Sequence, residues 1–236
     1  GFRLGGPIVK DKVFFFVNAE LQRDETPQPF DFNNYQGDLT QTDIDQLVNF
    51  LDTRYGYNPG SYLNNTAFLE SDKIIAKFDF NLSQNHKLTL RHSYTKAENL
   101  EARRSTSTGL GFINGSEFFV SETNSSALEL KSILGNNMSN HFTLGITTVR
   151  DDRDPFGDPF PSVFIDDGRG GITFGSETFS TANLLDQDVI TINNNLEIYK
   201  GKHTLLIGAN AEFYRVKNLF IPFNFGDYDY NSQRGS

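Results

Sequence analysis

Along much of this chain hydrophobic and polar positions alternate with a period of two, the mark of strands with one greasy and one wet face. The clearest case is 72–97. Ile74, Ala76, Phe78, Phe80 and Leu82 share one face, and Lys77, Asp79, Asn81 and Ser83 the other. After Gln84-Asn85-His86 the pattern resumes, with Leu88, Leu90, His92 and Tyr94 set against Thr89, Arg91, Ser93 and Thr95. Three further hairpins follow the same plan, at 1–22, 122–151 and 188–216, each around a short turn. Between the hairpins lie 23–71, 98–121 and 152–187, which are long, polar and rich in Gly, Pro, Asn and Asp.

Short turns at one end and long loops at the other are the layout of a bacterial outer-membrane barrel. The spacing therefore predicts an all-β fold: an antiparallel transmembrane β-barrel, with 1–236 supplying about eight strands. Turns would face the periplasm and loops the exterior. Charged residues such as Lys77, Asp79, Arg91, Glu129, Lys131, Glu197 and Glu212 in mid-strand fit a wet lumen. Aromatics near strand ends (Phe14, Phe16, Tyr94, Phe118, Phe119, Tyr199, Phe213, Tyr214) fit the two membrane interfaces. One loop breaks the period. At 41–55, Ile44, Leu47, Val48 and Leu51 recur at helical spacing, Thr40 or Thr42 can cap the start, and Gly56 can stop it.

Composition narrows the function. Hydrophobic residues are 37% of 236, yet there are 23 Phe and 9 Tyr, unlike a disordered chain. With no cysteine, disulfides and thiolate metal sites are excluded. A net charge of -9 argues against a nucleic-acid partner. No run of about 20 apolar residues marks a membrane helix, and Gly1-Phe2-Arg3-Leu4 is not a signal peptide, so export would require sequence ahead of Gly1.

No residues suggest catalysis. The histidines His86, His92, His141 and His203 lack metal-ligand spacing, and neither a nucleophile elbow nor a phosphate loop occurs. Asp151, Asp152, Asp154 and Asp158 form the best candidate for a Ca²⁺ site, because clustered carboxylates suit that ion; otherwise no cofactor is expected. Candidate ligand contacts are Arg103 and Arg104, with the loop aromatics Tyr55, Tyr57, Tyr62, Phe156, Phe160 and Phe164.

The run Gly5-Gly6-Pro7-Ile8-Val9-Lys10-Asp11-Lys12-Val13-Phe14-Phe15-Phe16-Val17-Asn18-Ala19-Glu20 resembles the barrel entry of Oar-like TonB-dependent receptors of Bacteroidetes and related bacteria. In that family a GGPI-x-KDK-x-FFF-x-N-x-E stretch follows the plug and forms the first barrel hairpin. Elsewhere the likeness is one of style, as in the turn Ser83-Gln84-Asn85-His86. The resemblance implies a barrel of 22 strands, an N-terminal plug and uptake of a large nutrient (a peptide, glycan or metal chelate). Implied partners are outer-membrane lipid, TonB through a segment ahead of Gly1, and a surface lipoprotein. The remaining strands would follow Ser236, since the tail 231–236 lacks a closing aromatic. Two other classes remain open, an adhesion barrel and a soluble carbohydrate-binding β-domain. A self-contained barrel of eight strands is the structural runner-up.

Overall fold

The computed structural model describes residues 1–231; the tail at 232–236, with its expected lack of a closing aromatic, lies outside them. Strands β1 (Phe2–Val9) and β2 (Val13–Gln28) open the chain. Helix α1 (Gln41–Tyr55) precedes β3 (Asn65–Asn81) and β4 (His86–Glu101), and a two-residue β5 (Leu110–Gly111) follows. Then come β6 (Glu117–Ile133), β7 (Met138–Pro155), β8 (Ser162–Asp167) and β9 (Gly170–Phe174). Strands β10 (Asn183–Lys200), β11 (His203–Phe220) and β12 (Asp227–Tyr230) complete the order.

Two sheets result. The larger is an antiparallel meander of eight strands, β1-β2-β3-β4-β6-β7-β10-β11, which does not close on itself. The smaller, β12-β8-β9-β5, is built from the long connections and the segment after β11. Seven strands of the large sheet are 16 to 18 residues long, well beyond the roughly 9–11 that cross a membrane. The alternation hides this excess, because above the apolar band both faces turn polar and the period fades into what reads as loop.

The register fixes which side chains share a row. Val13, Phe80, Leu88, Leu130, Phe142, Asn194 and Ala209 lie side by side across seven strands. That row begins at the first residue of β2 but meets β11 six residues past its start at His203. Six strand steps of about 4.8 Å against six residues of about 3.3 Å give a slope of roughly 35°. Such a tilt is that of a barrel wall.

Successive residues of a strand point to opposite faces. One face therefore carries Val17, Ala76, Leu90, Leu144, Ile192 and their row neighbours, and many of its large apolar side chains are exposed. In water so extensive an apolar surface would aggregate; in lipid it is the required exterior. The other face carries charges along its length, several of them paired: Lys73 with Glu20 at 3.1 Å, Lys77 with Asp79 at 2.9 Å, and Lys131 and His141 both with Glu129 at 2.6 Å. This polar face would line the lumen.

One expectation changes here. Of the strand-end aromatics, Tyr94, Phe118 and Phe213 share the lipid face, whereas Phe14 and Phe16 lie opposite Asp79 and Lys77 on the polar face. Phe119, Tyr199 and Tyr214 also take the inward phase. In a run such as Phe14-Phe15-Phe16 the alternation can send only one phase to lipid.

Candidate functional site

The long connections fold together into a cap at the end of the sheet opposite the tight turns. Helix α1 forms as its sequence predicts. Thr40 accepts from the Asp43 amide while Asp43 accepts from Thr40, a reciprocal capping box, and Gly56 ends the helix in left-handed backbone at φ 65°. The hydrogen bond from the Thr40 hydroxyl also holds the Asp43 carboxyl below its usual range. Ile44 and Leu51 point from α1 into a core with Tyr57, Tyr62, Leu110, Phe112, Val163, Ile172 and Phe174. Phe112 and Ile172 are completely buried. A sheet whose two faces serve lipid and lumen has no interior, so this hydrophobic core lies in the cap.

Polar clasps close the cap around that core. Buried Asp167, at the β8–β9 turn, accepts from the Tyr35 hydroxyl at 2.8 Å and the Leu39 amide at 3.1 Å. Burial, then the hydrogen bond to Asp167, push the Tyr35 phenol upward. Asn65 donates to the Arg103 carbonyl at 2.9 Å, and Ser105 to the Tyr62 carbonyl at 2.7 Å. At the rim of the sheet Arg153 pairs with Glu117 and stands 3.9 Å from Glu177 of the third connection.

The residues singled out from sequence separate under this geometry. Tyr57 and Tyr62 are 3% and 7% exposed and belong to the core, and burial pushes the Tyr57 phenol up to about 12. Arg103 is partly buried, donates its Nε to the Gly115 carbonyl at 3.0 Å, and is lowered by that burial; its place is structural. Arg104 is exposed. Tyr55 remains accessible. It meets Phe50 and Phe160 edge-on at 5.8 and 6.0 Å, and Phe160 stacks on Tyr57 at 4.0 Å, giving a continuous aromatic strip. Phe156 packs against Phe118 at 6.2 Å, away from that strip, and Phe164 is partly exposed on β8.

The aspartates do not converge. Alternation along β7 sends Asp151 inward, where it accepts from Ser121 at 2.6 Å, and sends Asp152 and Asp154 outward. Asp158 lies beyond the strand end. No group of three or more metal-binding side chains occurs among the described residues. Partial burial, then Asp154 and Asp186, raise the Asp152 carboxyl, outweighing the opposite pull of Lys217.

Sequence reasoning missed a groove beside α1. A cavity of about 310 Å³ opens on the large sheet, and one of about 390 Å³ in the cap runs between Asp45, Asn49 and Asp52 of the helix and Asn58 and Ser61, over Tyr62 and Phe112. Asp45, Asn49 and Asp52 recur at helical spacing opposite the apolar face, a signal that any solvated helix also shows. The β8–β9 hairpin was legible in principle: Val163 and Ile165 alternate, as do Ile172 and Phe174, around Asp167-Gly168, with Gly168 at φ 67°.

A family of known description, the outer membrane beta barrel domain, matches residues 28–236. The chain belongs to that family. This outer membrane beta barrel domain resides in the bacterial outer membrane. Its fold is similar to that of the outer membrane transporter YddB from Escherichia coli, with a TM-score of 0.58 and 11% identity. The match covers 91% of this chain and 24% of that one, so the chain spans about a quarter of the transporter. No curated protein matched. In a barrel of this kind the tight turns are periplasmic, which makes the cap of the beta barrel domain extracellular.

Proposed function

We propose that this chain is part of an outer-membrane transporter for a large nutrient, a peptide, glycan or metal chelate, driven from the inner membrane through TonB and of the Oar-like Bacteroidetes type. The observation that carries the reading is the cap: a preformed extracellular surface with an aromatic strip and an acidic groove, set on a wall whose inward face is polar. The fold's similarity to an outer membrane transporter supports it. So does the barrel-entry motif, whose residues Gly5 to Glu20 span the β1–β2 hairpin that the resemblance implies.

In this reading cargo is captured outside, where Phe50, Tyr55 and Phe160 offer ring faces to sugars or apolar peptide side chains. A plug encoded ahead of Gly1 then rearranges to admit it past the inward polar face, and a surface lipoprotein hands cargo to the cap. No chemical step is assigned to the protein. Uptake by cells with and without TonB tests the reading: import of fluorescent peptide or glycan pools that is indifferent to TonB refutes it.

A second reading, surface adhesion, draws on the same cap, because a loop cluster with its own core presents a fixed contact surface. Loss of cell attachment on deleting 29–64, with uptake of every pool unchanged, selects adhesion over transport.

A further inference from the structure

The outward face of the large sheet changes character abruptly. Starting from the tight-turn end of each strand, and setting aside Lys200 at the β10–β11 turn itself, no outward position carries Asp, Glu, Lys or Arg until nine to twelve residues have passed. The first outward charge is then Arg23 on β2, Asp72 on β3, Lys96 on β4, Glu122 on β6, Arg150 on β7, Asp188 on β10 and Arg215 on β11. The charges alternate in sign from strand to strand without exception. Their offset from the turns matches the roughly 9–11 residues of a spanning strand, so the collar sits just outside the hydrocarbon, at headgroup level.

Neighbouring members touch. Arg23 donates to Asp72 at 2.5 Å and Arg150 to Asp188 at 2.5 Å, and Asp188 stands directly opposite Arg215 in the register. These pairs are open, with side chains 38% to 47% exposed, so they are not sealed from what surrounds the barrel. Cations recur on alternate strands, about 10 Å apart around the wall. Each gap between them holds a carboxylate.

We propose that this collar is a docking surface for the phosphorylated glycolipid of the outer leaflet. Its cations bind lipid phosphates, for which Arg has matching donor geometry. Its carboxylates share the divalent cations that neutralise those phosphates, since hard cations take carboxylate and phosphate oxygens together. An alternating ladder suits this mixed layer better than a purely basic belt, because both phosphate and metal find a partner at each step. The proposal rests on the outer-membrane placement and is independent of whether the cap transports or adheres.

The test uses detergent-purified full-length protein and lipid A, a bisphosphorylated acylated glucosamine disaccharide, with bound lipid counted by native mass spectrometry in the presence of Mg²⁺. Wild-type protein is compared on lipid A and on its dephosphorylated counterpart, a measurement that needs no variant. The combined variant R23Q/K96Q/R150Q/R215Q is compared on lipid A, its folding checked by heat-modifiable mobility. A control, R54Q/R169Q, removes exposed cations of the cap instead. The expected result is a loss of affinity of threefold or more on dephosphorylation, the same loss in the collar variant if it folds, and less than threefold in the control. Equal binding of both lipids by the wild type overturns the proposal and leaves the collar an internally neutralised ladder. A loss in the control as large as in the collar variant also overturns it, because the attraction is then general.

Discussion

Replacing Phe112 with Ala should unfold the cap and spare the barrel. Phe112 is completely buried, meets Tyr62 edge-on at 5.2 Å and Phe174 at 6.4 Å, and bonds through its amide to the Thr173 carbonyl at 3.2 Å. All of these partners lie in the connections. Truncating a buried Phe to Ala costs about 3–5 kcal/mol, part from lost transfer energy and part from the cavity left behind. The wall owes its order to a separate source, the continuous ladders of the eight strands, in which Phe112 has no place. Hydrogen exchange of detergent-solubilised protein reads the two regions independently. At about 1.4 kcal/mol per tenfold, protection of peptides covering 41–64 and 160–176 should fall by roughly 100-fold or more. Peptides covering 72–95 should change by less than about threefold, and the heat-modifiable barrel band should persist. Cap protection within about fivefold of wild type would refute the claim that this core holds the cap. Parallel loss in the strands would refute its independence from the wall.

Three further outcomes follow from named positions. Tyr57 in the folded cap ionises only near about 12, against 10.0 when unfolded, so the neutral form is favoured by folding; the cap should be fully stable below about pH 10 and lose stability as pH rises towards 12. Because the buried Tyr57 hydroxyl has no hydrogen-bond partner of good geometry, Tyr57→Phe should keep or raise stability and flatten that alkaline decline, as measured by cap hydrogen exchange across the pH series. Leu144→Arg, on the lipid face near mid-height, should cost about 2–4 kcal/mol in folding into vesicles, whereas Thr143→Arg on the inward face should cost less than about 1. Equal penalties would reverse the assignment of faces. Thr40→Ala removes the capping box and should weaken cap protection by about 1 kcal/mol, with the strands unaffected.

The barrel wall was legible because its requirements are local. Each strand had to show lipid one phase and water the other, so the faces of 72–97 and of 188–216 could be assigned from alternation before any pairing was known. The helix at 41–55 was legible for the same reason: its cap, apolar stripe and terminal Gly lie within a few residues of one another. The cap was not, because its contacts join segments more than a hundred residues apart, as between Tyr35 and Asp167. Tyr57, Tyr62 and Arg103 look like ligand contacts in a linear reading, since an aromatic or Arg in a polar loop is ordinarily exposed. Only a core assembled from three connections puts them inside. The Asp151–Asp154 run fails in the opposite way. Read as a loop it is a cluster, but β7 continues through it to Pro155, and a strand cannot turn consecutive carboxylates to one ion.

That continuation of the strands connects the wall to its cap. A strand of 17 residues tilted by roughly 35–45° rises about 40 Å, while the apolar band of such barrels is about 25 Å tall. The excess lies on the outer side, because the apolar positions start at the tight turns and the charged collar ends them. About 15 Å of paired wall therefore stands clear of the hydrocarbon and gives the connections a rigid base. On that base the rim ion pair of Arg153 with Glu117, and Glu177 beside it, tie the third connection to β6 and β7. The cap's core can then serve one purpose, fixing the aromatic strip and the groove at a set height above the membrane. Membrane depth and cap position are set by a single sequence feature: the point on each strand where outward residues change from apolar to charged.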